Sequence, residues 1–110
     1  LKTMANRISS LNLKANKKLK DIYEAKDIKK CETTLQGCWH TIGLSWHHRK
    51  PRMSYRKKGD TDQEIIDNLS CFNETLLVCP VCHDKLTRDK VLSNDLFTRL
   101  REPLDLHTEL

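Results

Sequence analysis

The chain has 110 residues, of which 37% are hydrophobic and 5% aromatic, enough for one small domain with a thin apolar core. Lys and Arg number 20 against 15 Asp and Glu, a net charge of +5, and charged residues reach 32%. The longest unbroken run of Leu, Ile, Val, Met or Phe is Leu76–Leu77–Val78, which excludes a membrane span or a signal-peptide core within this sequence.

The charge is unevenly spread. Residues 1–58 hold 15 Lys or Arg and 4 acids, a net +11, whereas residues 59–110 hold 5 and 11, a net −6. A folded domain can turn that asymmetry into a positive face suited to a polyanion.

Residues 1–8 read as a basic, poorly ordered tail. Ser9 or Ser10 is a candidate cap for a helix running to about Lys30, along which Leu11, Ala15, Leu19, Ile22 and Tyr23 recur at helical spacing. Lys14, Lys17 and Lys18 fall outside that stripe. The latter half of Thr41–Arg49 fits a short strand. Residues 49–58 then form a loop with six cations and no acid. Thr61 and Glu64 make a capping box that opens a short helix through Ile65, Ile66 and Leu69. Asn73 to Val78 returns as a second strand. A helix follows from His83 to about Val91, and Ser93 caps a last one ending before Pro103. The residues beyond are acidic. The expected organisation is a basic tail and helix over 1–30, a metal-stapled domain over 31–101 and an acidic tail over 102–110.

So thin a core calls for a staple, and the chain carries five cysteines. Cys79-Pro80-Val81-Cys82 is a C-x-x-C whose tight turn lets two thiolates grip one Zn²⁺. Cys31 and Cys38 form a looser pair, with Gly37 permitting a sharp turn. Together the four make a tetrahedral site for a structural zinc. A disulfide framework and a redox dithiol are the competing readings. The odd count argues against the first, and the absence of a surrounding βαβ unit against the second. Cys71 is left over as a small, buried, apolar side chain. Four thiolates close the coordination shell, so any chemistry comes from elsewhere.

Three features line up around this staple: the pair His47-His48, Asn73, and His83 directly after Cys82. Trp46-His47-His48-Arg49-Lys50-Pro51 and Asn73-Glu74-Thr75-Leu76-Leu77-Val78-Cys79-Pro80-Val81-Cys82-His83 resemble the HNH nuclease family over about residues 31–90. The resemblance implies a small α+β fold with a ββα-metal motif, and a divalent-metal-dependent endonuclease acting on DNA. It makes His48 the general base, and gives His47 and His83 a catalytic cation, Mg²⁺ or another divalent ion. Asn73 orients the His48 imidazole by a hydrogen bond, with Asn68 the competing candidate. Arg49, Lys50, Arg52, Arg56, Lys57 and Lys58 grip flanking phosphates. His40 and His107 stay ordinary surface or packing residues.

The sequence departs from the family's pattern in three places. Six residues separate Cys31 from Cys38, Thr87 stands where some members carry a further His, and Asn73 lies one residue farther from the next cysteine. The alternative is a catalytically inactive module of the same shape that binds nucleic acid or a protein partner. Compact nucleases of this kind resemble those of phages and mobile elements, which often work beside a targeting partner. Reduced cysteines place the chain in the cytoplasm.

Overall fold

A computed structural model describes residues 4–102. Within them lie four α-helices and one two-stranded antiparallel sheet, a small α+β arrangement. In chain order they are α1 (Met4–Ala25), β1 (Ser45–His48), α2 (Asp62–Leu69), β2 (Thr75–Val78), α3 (Pro80–Arg88) and α4 (Lys90–Arg101). Single 3₁₀ turns at Arg52–Tyr55 and Phe72–Glu74 precede α2 and β2. No helix among the described residues is long and apolar enough to cross a membrane.

Helix α1 uses the expected stripe, with Leu11, Ala15, Leu19 and Tyr23 buried and Ile22 packed beside them. Its bounds differ from expectation at both ends. Residues 4–8 belong to the helix, so Ser9 and Ser10 lie inside it and cap nothing. Arg7 in this first part pairs with Asp62 at the start of α2. The helix stops at Ala25 because Asp27 turns left-handed at φ 58°. Asp27 N–H then bonds the Glu24 carbonyl at 3.0 Å, and Ile28 N–H reaches the Tyr23 carbonyl at 3.0 Å. These are the two bonds of a Schellman stop, built here on Asp in place of Gly.

The strands pair Ser45 with Val78, Trp46 with Leu77, His47 with Leu76 and His48 with Thr75. Directly opposed residues share a face, and alternate residues change face. Leu76 and Val78 therefore join Leu86, Leu96, Phe97 and three of the cysteines in one core. Leu77 and Trp46 pack on the other side, against Leu19 and Tyr23 of α1. A third cluster joins Leu11 and Ala15 of α1 to Ile65 and Leu69 of α2 and to Tyr55. The sheet is thus clasped between α1 on one face and α3 with α4 on the other.

One buried ion pair ties these layers together. Arg101, at the end of α4, lies 2.6 Å from the Glu32 carboxylate, with side-chain exposures of 4% and 11%. Arg101 also donates to the Phe72 carbonyl and the Tyr23 hydroxyl, and its guanidinium sits 3.8 Å from the centre of the Phe72 ring. The same Glu32 oxygen accepts from Leu77 N–H at 2.8 Å, while Glu32 N–H donates to the Leu77 carbonyl. All three guanidinium nitrogens and the facing carboxylate oxygen thus have partners, the kind of pairing under which a buried charge is tolerated.

The capping box at Thr61 and Glu64 forms as the sequence indicates. The later helix bounds do not. Helix α3 starts three residues before His83, with Cys79 as its cap and Pro80 in the first turn, and ends at Arg88. Asp89 closes α3 and also caps α4, accepting from Leu92 N–H at 3.0 Å. Ser93 consequently lies one turn inside α4 and caps nothing. The acidic stretch from Pro103, including His107, falls outside the described residues.

Candidate functional site

Two donor clusters flank the junction of β2 and α3. In the first, the Sγ atoms of Cys31, Cys38, Cys79 and Cys82 all lie within 4.8 Å of one another. A tetrahedral zinc with Zn–S bonds of ~2.3 Å would hold its sulfurs roughly 3.8 Å apart. Cys38 and Cys79 are at 3.8 Å. The segment before β1 is coiled by left-handed residues at Thr34, Gly37, His40 and Gly43, which brings Cys31 and Cys38 onto the cap of α3. Gly43 also rests on Pro80, where an added Cβ would come within 2.9 Å of the ring.

Backbone amides turn toward these sulfurs. Trp39 N–H and Cys82 N–H donate to Cys79 Sγ, and His40 N–H donates to Cys38 Sγ. Burial raises every thiol, but at Cys31 hydrogen bonds from the Thr33 hydroxyl and nearby amides outweigh it and draw the pKa down to about 6. At Cys79 burial is likewise outweighed by the Cys82 and Trp39 amides, and the pKa falls. Cys38 is pushed up to about 12 by burial and by the neighbouring sulfurs, and Cys82 is raised chiefly by burial. Four sulfurs this close cannot all be anionic without positive charge among them. A divalent cation supplies that charge, so the donor set, spacing and amide bonds fit a structural zinc. Cys71 stands apart, half-buried in the turn before β2.

The second cluster is a cleft of about 320 Å³ lined by Trp46, His47, His48, Lys50, Pro51, Arg52, His83, Thr87 and Lys90. It holds three imidazoles and three cations, and among the described residues no carboxylate lines it. Strand alternation sends the two adjacent histidines to different supports. His47 turns toward α3 and α4, with its ring centre 5.2 Å from that of His83 and 5.9 Å from that of Phe97. It is 8% exposed, and its Nε2 lies 3.0 Å from Ser93 Oγ. Burial, then the positive potential of His83, His48 and Lys90, lowers its pKa to about 4. Burial and Arg52 lower His83 as well.

Both rings are therefore neutral near pH 7 and keep a lone pair. Two imidazoles bound to one cation at ~2.0–2.1 Å would hold their centres roughly 5 Å apart, which the 5.2 Å spacing meets. The pair thus fits a shared cation. Among the described residues, only the cysteines gather three or more such donors, so a cation here keeps positions open to water and phosphate.

His48 leans the other way, against the Tyr55 ring at 5.6 Å. Its Nε2 lies 2.8 Å from the Leu69 carbonyl at the end of α2. A carbonyl only accepts, so Nε2 carries the hydrogen and Nδ1 keeps the lone pair. Burial lowers the His48 pKa, with Arg52 adding to the effect and the Leu69 bond and Glu74 opposing it. The Leu69 carbonyl thus holds the His48 ring. Asn73 lies in the turn before β2, and no hydrogen bond joins it, or Asn68, to His48 among the described residues.

The six expected phosphate-gripping cations divide. Lys50 and Arg52 rim the cleft. Arg49 instead folds onto α4, pairing with Glu102 at 3.2 Å, donating to Asn94 and lying over the Phe97 ring. Arg56, Lys57 and Lys58 line a separate groove of about 400 Å³ between α1 and α2, floored by Ile8, Leu11, Met53 and Ile65. Tyr55 pins the loop between the two: its hydroxyl accepts from Lys50 N–H and donates to Glu74. The sequence reading missed Lys90, Ser93 and the Leu69 carbonyl. Only Lys90 had a usable signal, as a cation two turns after His83 in the chain. No protein-family model, curated protein or solved structure matches the chain.

Proposed function

We propose that the protein is a divalent-metal-dependent endonuclease of the HNH type, hydrolysing DNA phosphodiester bonds on a zinc-stapled ββα scaffold. The observation that carries this reading is the cleft's division of labour. One imidazole is fixed with a free Nδ1, two others stand a cation's width apart, and all three share a rim of positive charge.

His48 Nδ1 accepts a proton from the attacking water. The Leu69 carbonyl holds the tautomer and steadies the imidazolium that forms. Because its pKa is lowered, His48 is unprotonated and ready near neutral pH. A cation held by His47 and His83 would neutralise charge on the phosphate and the departing oxygen. Lys50, Arg52 and Lys90 add charge-assisted hydrogen bonds to the same anion. Among the described residues no carboxylate lines the cleft to compete with the phosphate for these donors. Lys57 and Lys58, farther along the loop, extend the positive track for the flanking backbone.

The test is cleavage of supercoiled plasmid by the zinc-loaded protein with Mg²⁺, Mn²⁺ or Ni²⁺. The native protein is expected to nick or linearise it, and His48→Ala to lose ~10²–10⁴-fold in rate. Plasmid left intact with every cation contradicts the proposal. Among the described residues no third cation donor joins His47 and His83, which favours one competing reading, a binding module without catalysis. Salt-sensitive DNA binding with no cutting would establish that module instead.

A further inference from the structure

The groove that holds Arg56, Lys57 and Lys58 is only half basic. Its floor is aliphatic, built by Ile8 and Leu11 of α1 and Ile65 of α2, with Met53 beside them. Leu11 and Ile65 are recessed at 2% and 4% exposure, whereas Met53 stands 76% exposed. A long, flexible thioether left in water beside an aliphatic hollow makes a surface that adapts to a partner.

The charge around this floor is one-sided. Four cations and one carboxylate line the groove. That carboxylate, Asp60, is committed to its own loop, where it accepts Lys57 N–H at 2.9 Å. Arg7 is paired with Asp62. Among the described residues no carboxylate pairs with Arg56, Lys57 or Lys58, and Arg56 Nε is buried without a hydrogen-bond partner. An unmet buried N–H on a charged group is costly, so this wall favours an incoming anion. The wall is also preformed. Asp60 N–H closes a turn onto the Lys57 carbonyl at 3.0 Å, with Gly59 left-handed at φ 90°, and Arg56 N–H bonds the Met53 carbonyl at 3.2 Å.

A nucleic-acid strand would use the cations and leave the aliphatic floor bare. Its bases stack on aromatic rings, and none of the described residues lining the groove is aromatic. A bilayer is too flat to reach Leu11 and Ile65. An acidic peptide with large aliphatic side chains meets both halves at once, its carboxylates on the cations and its aliphatic groups on the floor. We propose that this groove between α1 and α2 is the docking site for such a segment of a partner protein. Carboxylates of the segment face Arg56, Lys57 and Lys58, and its aliphatic side chains seat on Leu11, Met53 and Ile65. The volume of about 400 Å³ is in the range of sites that enclose a ligand. The groove shares no lining residue with the histidine cleft, so it serves a partner whether or not the protein cuts DNA. Lys57 and Lys58 suit a DNA backbone as well, but the aliphatic floor does not.

The test is fluorescence anisotropy on the full chain loaded with structural zinc, with a labelled synthetic peptide of Glu and Leu as the probe. Saturable binding is expected. It should weaken at least ~10-fold when the leucines become serine, and likewise when the glutamates become glutamine. Met53→Glu and Lys58→Glu, both at exposed positions, should weaken it by a similar factor. Lys14→Glu, at an exposed position of α1 outside the groove, should leave it unchanged. Methyl NMR should gather the peptide-induced shifts at Ile8, Leu11, Met53 and Ile65.

No binding of the Glu–Leu peptide overturns the proposal, and so does binding indifferent to its leucines or to Met53→Glu. The groove belongs to another occupant, and the proposal fails, if those methyl signals move instead with a DNA strand, with anionic lipid vesicles, or with protein concentration as the chain dimerises. Peptide binding at these methyls in a protein that cuts no DNA would sustain the docking site while removing the endonuclease.

Discussion

Cys82 and His83 are neighbours in the chain, yet they face two donor clusters of opposite character. On the cysteine side, four soft donors from two distant segments close on one point, each buried or half-buried, with amide hydrogens turned toward the sulfurs. On the histidine side, neutral donors stand in an open cleft among Lys50, Arg52 and Lys90. The first arrangement demands a cation to relieve its own negative charge. On the proposed reading, the second would surround a cation with positive charge and leave the balancing anion to come from solution. A closed, self-neutralising set is suited to holding a fold together, and on that reading the open, positive one would take a phosphate.

The comparison can be broken most violently from the cysteine side. Structural zinc contributes ~10–16 kcal/mol of apparent free energy, against a net stability of roughly 5–15 kcal/mol for a domain. Cys82→Ser, or stripping zinc with a strong chelator, should therefore abolish the cooperative thermal transition seen by circular dichroism. A chain that melts unchanged without zinc would make the cysteines ordinary core residues.

Next in size is the buried pair that fastens the cysteine loop to α4. Arg101→Met leaves Glu32 buried and unpaired, and should cost ~3–5 kcal/mol in urea denaturation. A loss below ~1 kcal/mol would show that Glu32 is solvated in the folded protein.

A smaller effect comes from the histidine side. Folded His47 stays neutral down to about pH 4, whereas an unfolded imidazole takes its proton near ~6.5. Between those values the unfolded chain binds more protons, so stability falls as pH falls through that window and is complete above it. The loss should be on the order of 1–3 kcal/mol between pH 7 and pH 4. Measured at saturating zinc, His47→Asn should show a shallower decline. Equal slopes would assign the titration to another group.

What the sequence made legible follows from the reach of each signal. The four cysteines, the apolar stripe of α1 and the Thr61–Glu64 box each depend on spacing alone, and each appears as expected. The end of α1 does not, because Asp27 holds a left-handed turn that glycine usually marks. Asp89 hides a helix boundary by capping in both directions, which displaced both α3 and α4. In the cleft, His48 is steadied by a backbone carbonyl 21 residues away. A carbonyl has no sequence signature, whereas the expectation for Asn73 comes from the family resemblance. The resemblance makes Arg49 a phosphate contact, and in the fold Glu102 and Phe97, more than 40 residues on, hold it against α4. Local chemistry was readable where the partners were local.

The most direct test separates the two clusters within one sample. A mild chelator, too weak to extract thiolate-bound zinc, should leave one zinc per chain and an unchanged circular dichroism spectrum while abolishing plasmid cleavage. Added Mg²⁺ or Mn²⁺ should restore cutting. Cleavage that persists on the single bound zinc, or a fold lost together with the exchangeable cation, would contradict the division between a closed structural centre and an open reactive one.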